Sequence, residues 1–478
     1  LNASTIPARL DRLPWSRWHW RVVIALGVAW VLDGLEVTLV GSLGAVLERR
    51  DTLALTAGEI GASGSLYIAG AVVGALFFGR LTDRLGRKKL FLTTLAVYMS
   101  ATLATAFAPG YAWFAVCRWA TGFGIGGEYA AINSAIDELI PARLRGRVNL
   151  SINGSFWLGA ALGAGISLIL LDPRVLGAAL GWRACFLLGA AFAAVIILVR
   201  RHVPESPRWL LSHGRGEEAE AVVKQIEAEV EELTGALSPV TKSTPNHRHS
   251  PPLLEVARAL LVDYRQRSLV ALAMMVAQAF FYNAIFFTYA LVLGRFYGVP
   301  DDRVALYLFP FALGNVLGPA LLGPLFDSVG RRRMIAATYI FSGLGLALTG
   351  WAFVAGLLDA RSQALCWSAV FFLASAAASS AYLNVSEIFP LEMRALAIAV
   401  FYAIGTGVGG VIAPVLLGFL IQTGSRTGVA AGWGLGALLM VIAGTLALAF
   451  GVDAERKSLE EIAGPMRVDA GKMHSEFS

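Results

Sequence analysis

The chain has 478 residues, of which 56% are hydrophobic and 15% charged, and its mean hydropathy is +0.65. A soluble domain carries about a quarter of its residues charged, so a string of soluble domains is excluded and the class is membrane. The net charge of +6 does not point to nucleic acid, because the basic residues fall in short loops between apolar runs, which is the membrane pattern.

A bilayer core needs about 20 apolar residues per helix. By that ruler the first half holds six spans, near 20–45, 59–80, 89–108, 112–138, 147–171 and 181–200. The first run lacks a small-residue cleavage site and is too long for a signal-peptide core, so it is expected to remain as a span. A polar stretch follows, with a charged helical piece from Glu217 to Glu232 and a Pro-, His- and Ser-rich patch from Ser243 to Pro252. Six more spans are predicted near 266–293, 302–326, 333–356, 362–386, 396–421 and 429–451. The expected architecture is all-α, with twelve transmembrane helices in two pseudo-symmetric six-helix bundles. Residues 1–200 form the first bundle, 201–265 a central loop, 266–451 the second bundle and 452–478 a tail. With both termini on one side, 30 basic residues lie on that side, 8 on the other, and Arg118 lies within a span. The excess of Lys and Arg makes the terminal side cytoplasmic. Cys117, Cys185 and Cys366 all fall inside apolar runs with no CxxC pair or histidine cluster. They are expected to be small buried residues, with no metal site.

Two loop motifs recur. Gly79-Arg80-Leu81-Thr82-Asp83-Arg84-Leu85-Gly86-Arg87-Lys88 follows span two, and Gly323-Pro324-Leu325-Phe326-Asp327-Ser328-Val329-Gly330-Arg331-Arg332 follows span eight. Glu138-Leu139-Ile140-Pro141-Ala142-Arg143-Leu144-Arg145 follows span four, and Glu387-Ile388-Phe389-Pro390-Leu391-Glu392-Met393-Arg394 follows span ten. Two related six-helix halves suit alternating access around a site near the midplane. On these motifs, Asp83-Arg84-Leu85-Gly86-Arg87-Lys88 above all, the chain resembles the major facilitator superfamily over nearly its whole length. The resemblance implies that Asp83, Arg87, Glu138, Arg145, Asp327, Arg331, Glu387 and Arg394 form a network of ion pairs that closes the cytoplasmic side. Exposed pairs contribute about 0–1 kcal/mol each, a weakness that suits a gate.

The most informative charges are Asp33 and Glu36. Three residues apart on a helix, they share a face, and Asp33 sits about 20 Å along span one. An acidic side chain at that depth costs about 2.5–3.5 kcal/mol, which marks it as functional, and desolvation with a like-charged neighbour favours proton uptake near neutral pH. Arg118 in span four lies at a matching depth and resembles the superfamily's fourth-helix arginine, which is linked to proton transfer. A fork on a substrate carboxylate is its alternative role. Glu128, Asn133 and Asp137 complete the polar set of span four; nine residues separate Glu128 from Asp137, which places them on opposite faces, and Asp137 lies near the cytoplasmic end, so Glu128 is the remaining proton-coupling candidate. Gly122-Phe123-Gly124-Ile125-Gly126-Gly127 lacks the βαβ frame of a dinucleotide site and reads instead as a surface for close helix packing. The second half offers neutral groups for substrate, namely Gln278, Tyr282 and Asn283 in span seven, Tyr382 and Asn384 in span ten, and Tyr402 in span eleven.

Pro204-Glu205-Ser206-Pro207-Arg208-Trp209-Leu210 resembles sugar porters, but Ala277-Gln278-Ala279-Phe280-Phe281-Tyr282-Asn283 lacks their paired glutamines. The span-one pattern Asp33-Gly34-Leu35-Glu36 resembles aromatic-acid/proton symporters, niacin-type carriers and the synaptic vesicle glycoprotein. The expectation is therefore a proton-coupled symporter that takes up a small organic acid or related metabolite across a cell membrane, a bacterial inner membrane in the simplest case. It would work as a monomer in lipid, with no cofactor but the proton gradient, no enzymatic activity and no nucleic-acid partner. A sugar or polyol symporter, and a non-transporting receptor on the same scaffold, are the alternatives.

Overall fold

The computed structural model describes residues 6–141, 145–200, 205–235, 237, 253–390 and 393–453. The Ser243–Pro252 patch and all but the first residues of the tail lie outside them.

The regular structure among the described residues is all helical, with no strand among them. A short α1 (Ile6–Asp11) precedes α2 (Arg17–Leu47), α3 (Ala57–Leu85), α4 (Arg87–Ala106), α5 (Tyr111–Leu139), α6 (Arg145–Leu170) and α7 (Gly177–Arg200). Next come α8 (Pro207–Ser212), α9 (Gly216–Thr234) and α10 (Leu253–Arg258). The second half runs through α11 (Arg265–Phe286), α12 (Tyr289–Tyr297), α13 (Leu308–Ser328), α14 (Arg331–Val354), α15 (Ala360–Ile388), α16 (Arg394–Gly405), α17 (Val411–Gln422) and α18 (Arg426–Phe450). Among the described residues, ten helical stretches are long and apolar enough to cross a membrane. The long helices α5 and α6 stand where the sequence places spans four and five, α5 packed against α3 and α4 and α6 against α2. Large apolar side chains such as Phe77, Val116, Leu158, Leu348 and Phe419 face outward, as lipid contact requires.

Predicted span seven is not continuous: it breaks between Phe286 and Tyr289. Span eleven is one helical stretch, Leu396–Gln422, that widens into a π turn at Thr406–Gly410. The Thr-Gly-Val-Gly-Gly composition allows that turn. A Cβ on Gly409 would lie 2.3 Å from the Val276 carbonyl oxygen, so the missing side chain lets the π turn press against α11. The repeated loops do share a backbone. Gly86 and Gly330 precede α4 and α14 with φ of 87° and 113°, a conformation that glycine adopts at little cost.

The central charged helix is present as α9, and it is not a free loop element. Ile6, Leu10, Leu13 and Trp18 join Ala219, Val223, Ile226 and Val230 in one buried cluster. Arg9 donates to Glu220 at 2.7 Å and to Glu227 at 2.5 Å, Arg12 donates to Glu227 at 2.6 Å, and Arg21 pairs with Glu229. The N-terminal segment thus straps α9 to the first half. Cys117 and Cys185 are buried as expected, whereas Cys366 is only half-buried on the outer part of α15, and all three are free.

Among the described residues, the halves meet at the end away from the chain termini. There α17 packs on α3, α12 on α2, and a 3-10 turn at Val304–Tyr307 on α6. A Cβ on Gly61 would stand 2.2 Å from the Pro414 carbonyl oxygen, so α3 and α17 touch backbone to backbone. The Gly58 amide donates to Gln422 Oε1 at 3.2 Å, the Val415 amide donates to Ser65 Oγ at 3.1 Å, and Arg49 reaches Asp301 at 3.5 Å. Burial lifts the carboxyls of Glu48 and Asp301 above the usual range, against the opposing pull of Arg295 on the first and Arg49 on the second. This far mouth is closed.

Candidate functional site

The site is built first by close helix contacts. A Cβ on Gly34 would lie 1.9 Å from the Phe156 carbonyl oxygen, so α2 and α6 approach backbone to backbone. The glycine-rich string on α5 does the same work against α3, where Gly122 and Gly126 lie over the carbonyls of Tyr67 and Ala71. With helices this close, side chains three residues apart on α2 reach different neighbours.

Glu36 belongs to the interior of the first half. Arg118 Nη1 donates to Glu36 Oε1, and the Tyr98 hydroxyl donates to Oε2 at 3.4 Å. Glu36 and Arg118 are both 0% exposed. The guanidinium also lies 4.6 Å from the centroid of the Tyr67 ring, a cation–π contact strengthened by the dry surroundings. Asp33 is 3% exposed and accepts a hydrogen bond from the Tyr67 hydroxyl. The Tyr67 ring sits 6.3 Å from Phe287 of the second half, and Asp33 lies within electrostatic reach of Tyr402 on α16. The two acids predicted as one paired feature are therefore divided between the interior of the first half and its interface with the second.

Arg118 has no exposed surface, and its salt bridge is to Glu36. Glu128 is likewise 0% exposed and stands ten residues after Arg118, about 15 Å along α5.

The second half contributes neutral groups. The Tyr282 hydroxyl donates to Asn315 Oδ1 at 2.7 Å, and its ring meets Phe371 edge-on. Asn283 Nδ2 donates to the Ala279 carbonyl at 2.7 Å, turning back on its own helix. Asn384 Nδ2 lies 3.7 Å from Met274 Sδ, and Gln278 is nearly buried. Tyr382 keeps 39% of its surface exposed while its ring lies 6.3 Å from that of Tyr402. Tyr382 and Tyr402 therefore form an aromatic wall on the second-half side, and Tyr402 looks toward Asp33.

Of the repeated loop charges, Arg331 and Glu387 form a bidentate pair at 3.2 and 3.1 Å. Both belong to the second half, so the pair ties the start of α14 to the end of α15 within that bundle. The side chains of Asp83, Arg87, Glu138, Arg145, Asp327 and Arg394 lie outside the described residues. Glu205, from the Pro-Glu-Ser-Pro-Arg-Trp motif, accepts from the Lys88 amide at 3.3 Å and so caps the entry to α4.

Sequence reasoning missed Tyr67, Tyr98 and Asn315, which hold Asp33, Glu36 and Tyr282. Each is a single polar residue in an apolar run, and periodicity does not say which neighbouring helix it meets.

A family model described as "Sugar (and other) transporter" matches residues 42–464. The niacin transporter NiaP of Acinetobacter baylyi is 28% identical over 466 residues, covering 95% of this chain and 99% of that protein. Synaptic vesicle glycoprotein 2B of Mus musculus is 30% identical over 225 residues, 45% of this chain and 32% of that one. The xylose transporter XylE from E. coli, in its inward-open conformation, superposes with a TM-score of 0.71 at 18% identity, covering 93% of this chain and 98% of that one.

Proposed function

The chain belongs to the sugar (and other) transporter family of the major facilitator superfamily, and we propose that it carries out proton-coupled uptake of a small organic acid or related metabolite by alternating access. The observation that carries this reading is the buried set Asp33, Glu36 and Arg118 in the first half, facing neutral aromatic and amide groups in the second. A proton taken on one of the two carboxylates neutralises charge at the interface before the halves rock, and its release on the other side resets the carrier. Gln278, Tyr282, Asn283, Asn384, Tyr382 and Tyr402 supply hydrogen bonds and ring faces for the solute. The cytoplasmic termini, the bacterial inner membrane, the monomeric state and the ionic gate belong to the same proposal. With the termini cytoplasmic, the closed far mouth corresponds to an inward-facing state.

The niacin transporter among the relatives favours a pyridine or aromatic carboxylate. A sugar or polyol is the second reading, favoured by the family model and by the Glu205 motif capping α4. The test is counterflow and pH-gradient-driven uptake in proteoliposomes with labelled nicotinate, benzoate, succinate and xylose. Accumulation of one of the three acids driven by an inward proton gradient, and abolished by a protonophore, is the expected result. Accumulation of xylose alone transfers the assignment to sugars. Binding without counterflow points to a receptor.

A further inference from the structure

We infer that the N-terminal segment, residues 6–21, is a charge-held clasp on the turn between α3 and α4. Docked on α9, it keeps α8 and the neighbouring Glu205 against the entry to α4, and its release loosens that turn. The inference does not depend on which solute is carried.

The clasp begins with complementary sequences. The segment carries Arg9, Arg12, Arg17 and Arg21, whereas α9 has seven glutamates and one lysine among its 19 residues. Opposite charge on an open surface contributes little, but these pairs are shaped and partly dry. Arg9 grips Glu227 with two nitrogens, at 3.0 and 2.5 Å, and Glu220 with the third, at 2.7 Å. Arg12 adds a second guanidinium to Glu227 at 2.6 Å. The Arg9 and Glu227 side chains are only 14% and 13% exposed, so salt screens them less than a surface pair. Against desolvation by burial, the hydrogen bonds from Arg9 and Arg12 hold the Glu227 carboxyl below its ordinary range. Beneath the charges, Ile6, Leu10 and Leu13 are buried with Val223 and Ile226 of α9. A helix of six residues is not stable alone, so α1 owes its order to this docking, and losing the ion pairs should undo helix and contact together.

The docked segment reaches the turn through α8. Helix α1 packs on α8 as well as on α9, and Trp209 and Leu210 of α8 share one buried cluster with Leu10, Leu13 and, on α4, Leu90 and Phe91. Glu205 immediately precedes Ser206, the residue that caps α8 by accepting from the Trp209 amide at 3.2 Å. Both Glu205 carboxylate oxygens accept from the Lys88 amide, at 3.4 and 3.3 Å. A Cβ on Gly86 would lie 2.4 Å from Glu205 Oε2 and 3.3 Å from the Trp209 ring, so α8 and Glu205 sit directly on the turn that opens α4. The second half has a matching turn, where the Met334 amide bonds the Gly330 carbonyl as the Leu90 amide bonds that of Gly86. The buried cluster ends at Leu237, so that second turn is not part of the clasp. One of two turns with the same backbone plan is thus tied to the N-terminal segment.

The test is amide hydrogen exchange on the purified full-length protein in lipid nanodiscs, with no solute added. Arg9→Glu combined with Arg12→Glu should speed exchange by about tenfold or more in α9, over residues 222–230, and at Lys88 to Phe91, the size expected for losing hydrogen bonds between charged groups. Exchange at Met334 to Ala336, beyond the matching turn, should not change, which separates release of the clasp from a general loosening of the fold. Adding Glu220→Arg and Glu227→Arg restores opposite charges and should return both regions most of the way to their original rates. Arg215→Gln, which removes the exposed pair with Glu218 at the start of the same helix, should move neither. If the charge reversal does not fold, Arg9→Gln alone should give the same two-region pattern at a smaller size. Unchanged exchange in α9, faster exchange in α9 with Lys88 to Phe91 unaltered, equal acceleration at Met334 to Ala336, or no recovery on exchanging the charges would each overturn the inference.

Discussion

In the first half, the mid-membrane polar groups are charged and almost fully enclosed: Glu36 bound to Arg118, Tyr67 between that pair and Asp33, and Tyr98 behind. At similar depth in the second half, Tyr282 is bonded to Asn315, Asn283 turns back on its own helix, and Tyr382 keeps much of its surface open. The two halves thus hold two kinds of polar interior. Charged groups in a low-dielectric core are stable only as compensated sets, so the first half is constrained wherever it is charged. Neutral amides and phenols tolerate partial satisfaction and a changing partner, which suits a surface that must receive and release a solute.

The largest effect should come from breaking the charged set. Glu36→Gln leaves Arg118 buried without its carboxylate and is expected to cost about 3–5 kcal/mol, read as a large drop in the thermal unfolding midpoint in detergent. Adding Arg118→Gln should recover part of the loss; a double variant no more stable than the single one would show that the pair is not the unit that matters. The neutral half should respond less. Tyr282→Phe removes one hydrogen bond to Asn315 and should cost about 1 kcal/mol, with a clearer effect on solute affinity than on unfolding. A loss as large as that from Glu36→Gln would erase the contrast between the halves.

The smallest effect lies at the seam between them. Glu48 and Asp301 have carboxyls raised by burial in the closed far mouth, so the closed arrangement binds protons more tightly than an open one. Its extra stability is present below the ordinary carboxylate range and is lost as pH rises through the raised values. Arg49 holds exposed Asp51 below that range through a hydrogen bond, so Asp51 works against the closed mouth only in stronger acid. Spin labels at Thr52→Cys and Asp302→Cys should therefore show a slightly wider mouth on going from mildly acidic to neutral pH, and Glu48→Gln with Asp301→Asn should flatten that response. Widening in acid instead would mean that the Arg49–Asp301 contact, and not carboxyl burial, controls this mouth.

Much of this was readable from the chain alone. Membrane class, helix positions, the repeated loops and the chemical inequality of the halves follow from local sequence, because the bilayer imposes a length and a polarity on each segment and the loops carry their own turn residues, as Gly86 and Gly330 do. The depth of Asp33, Glu36 and Arg118 could be counted along the helices, since rise per residue is constant. Tertiary structure alone decided which groups meet. It assigned Glu36 to Arg118, gave Asp33 to Tyr67, docked the N-terminal segment on α9 and closed the far mouth through Gly61 and Pro414. Helix rotation and helix neighbours depend on backbone approaches between residues far apart in the chain, and a one-dimensional pattern of apolar and polar positions carries no record of them.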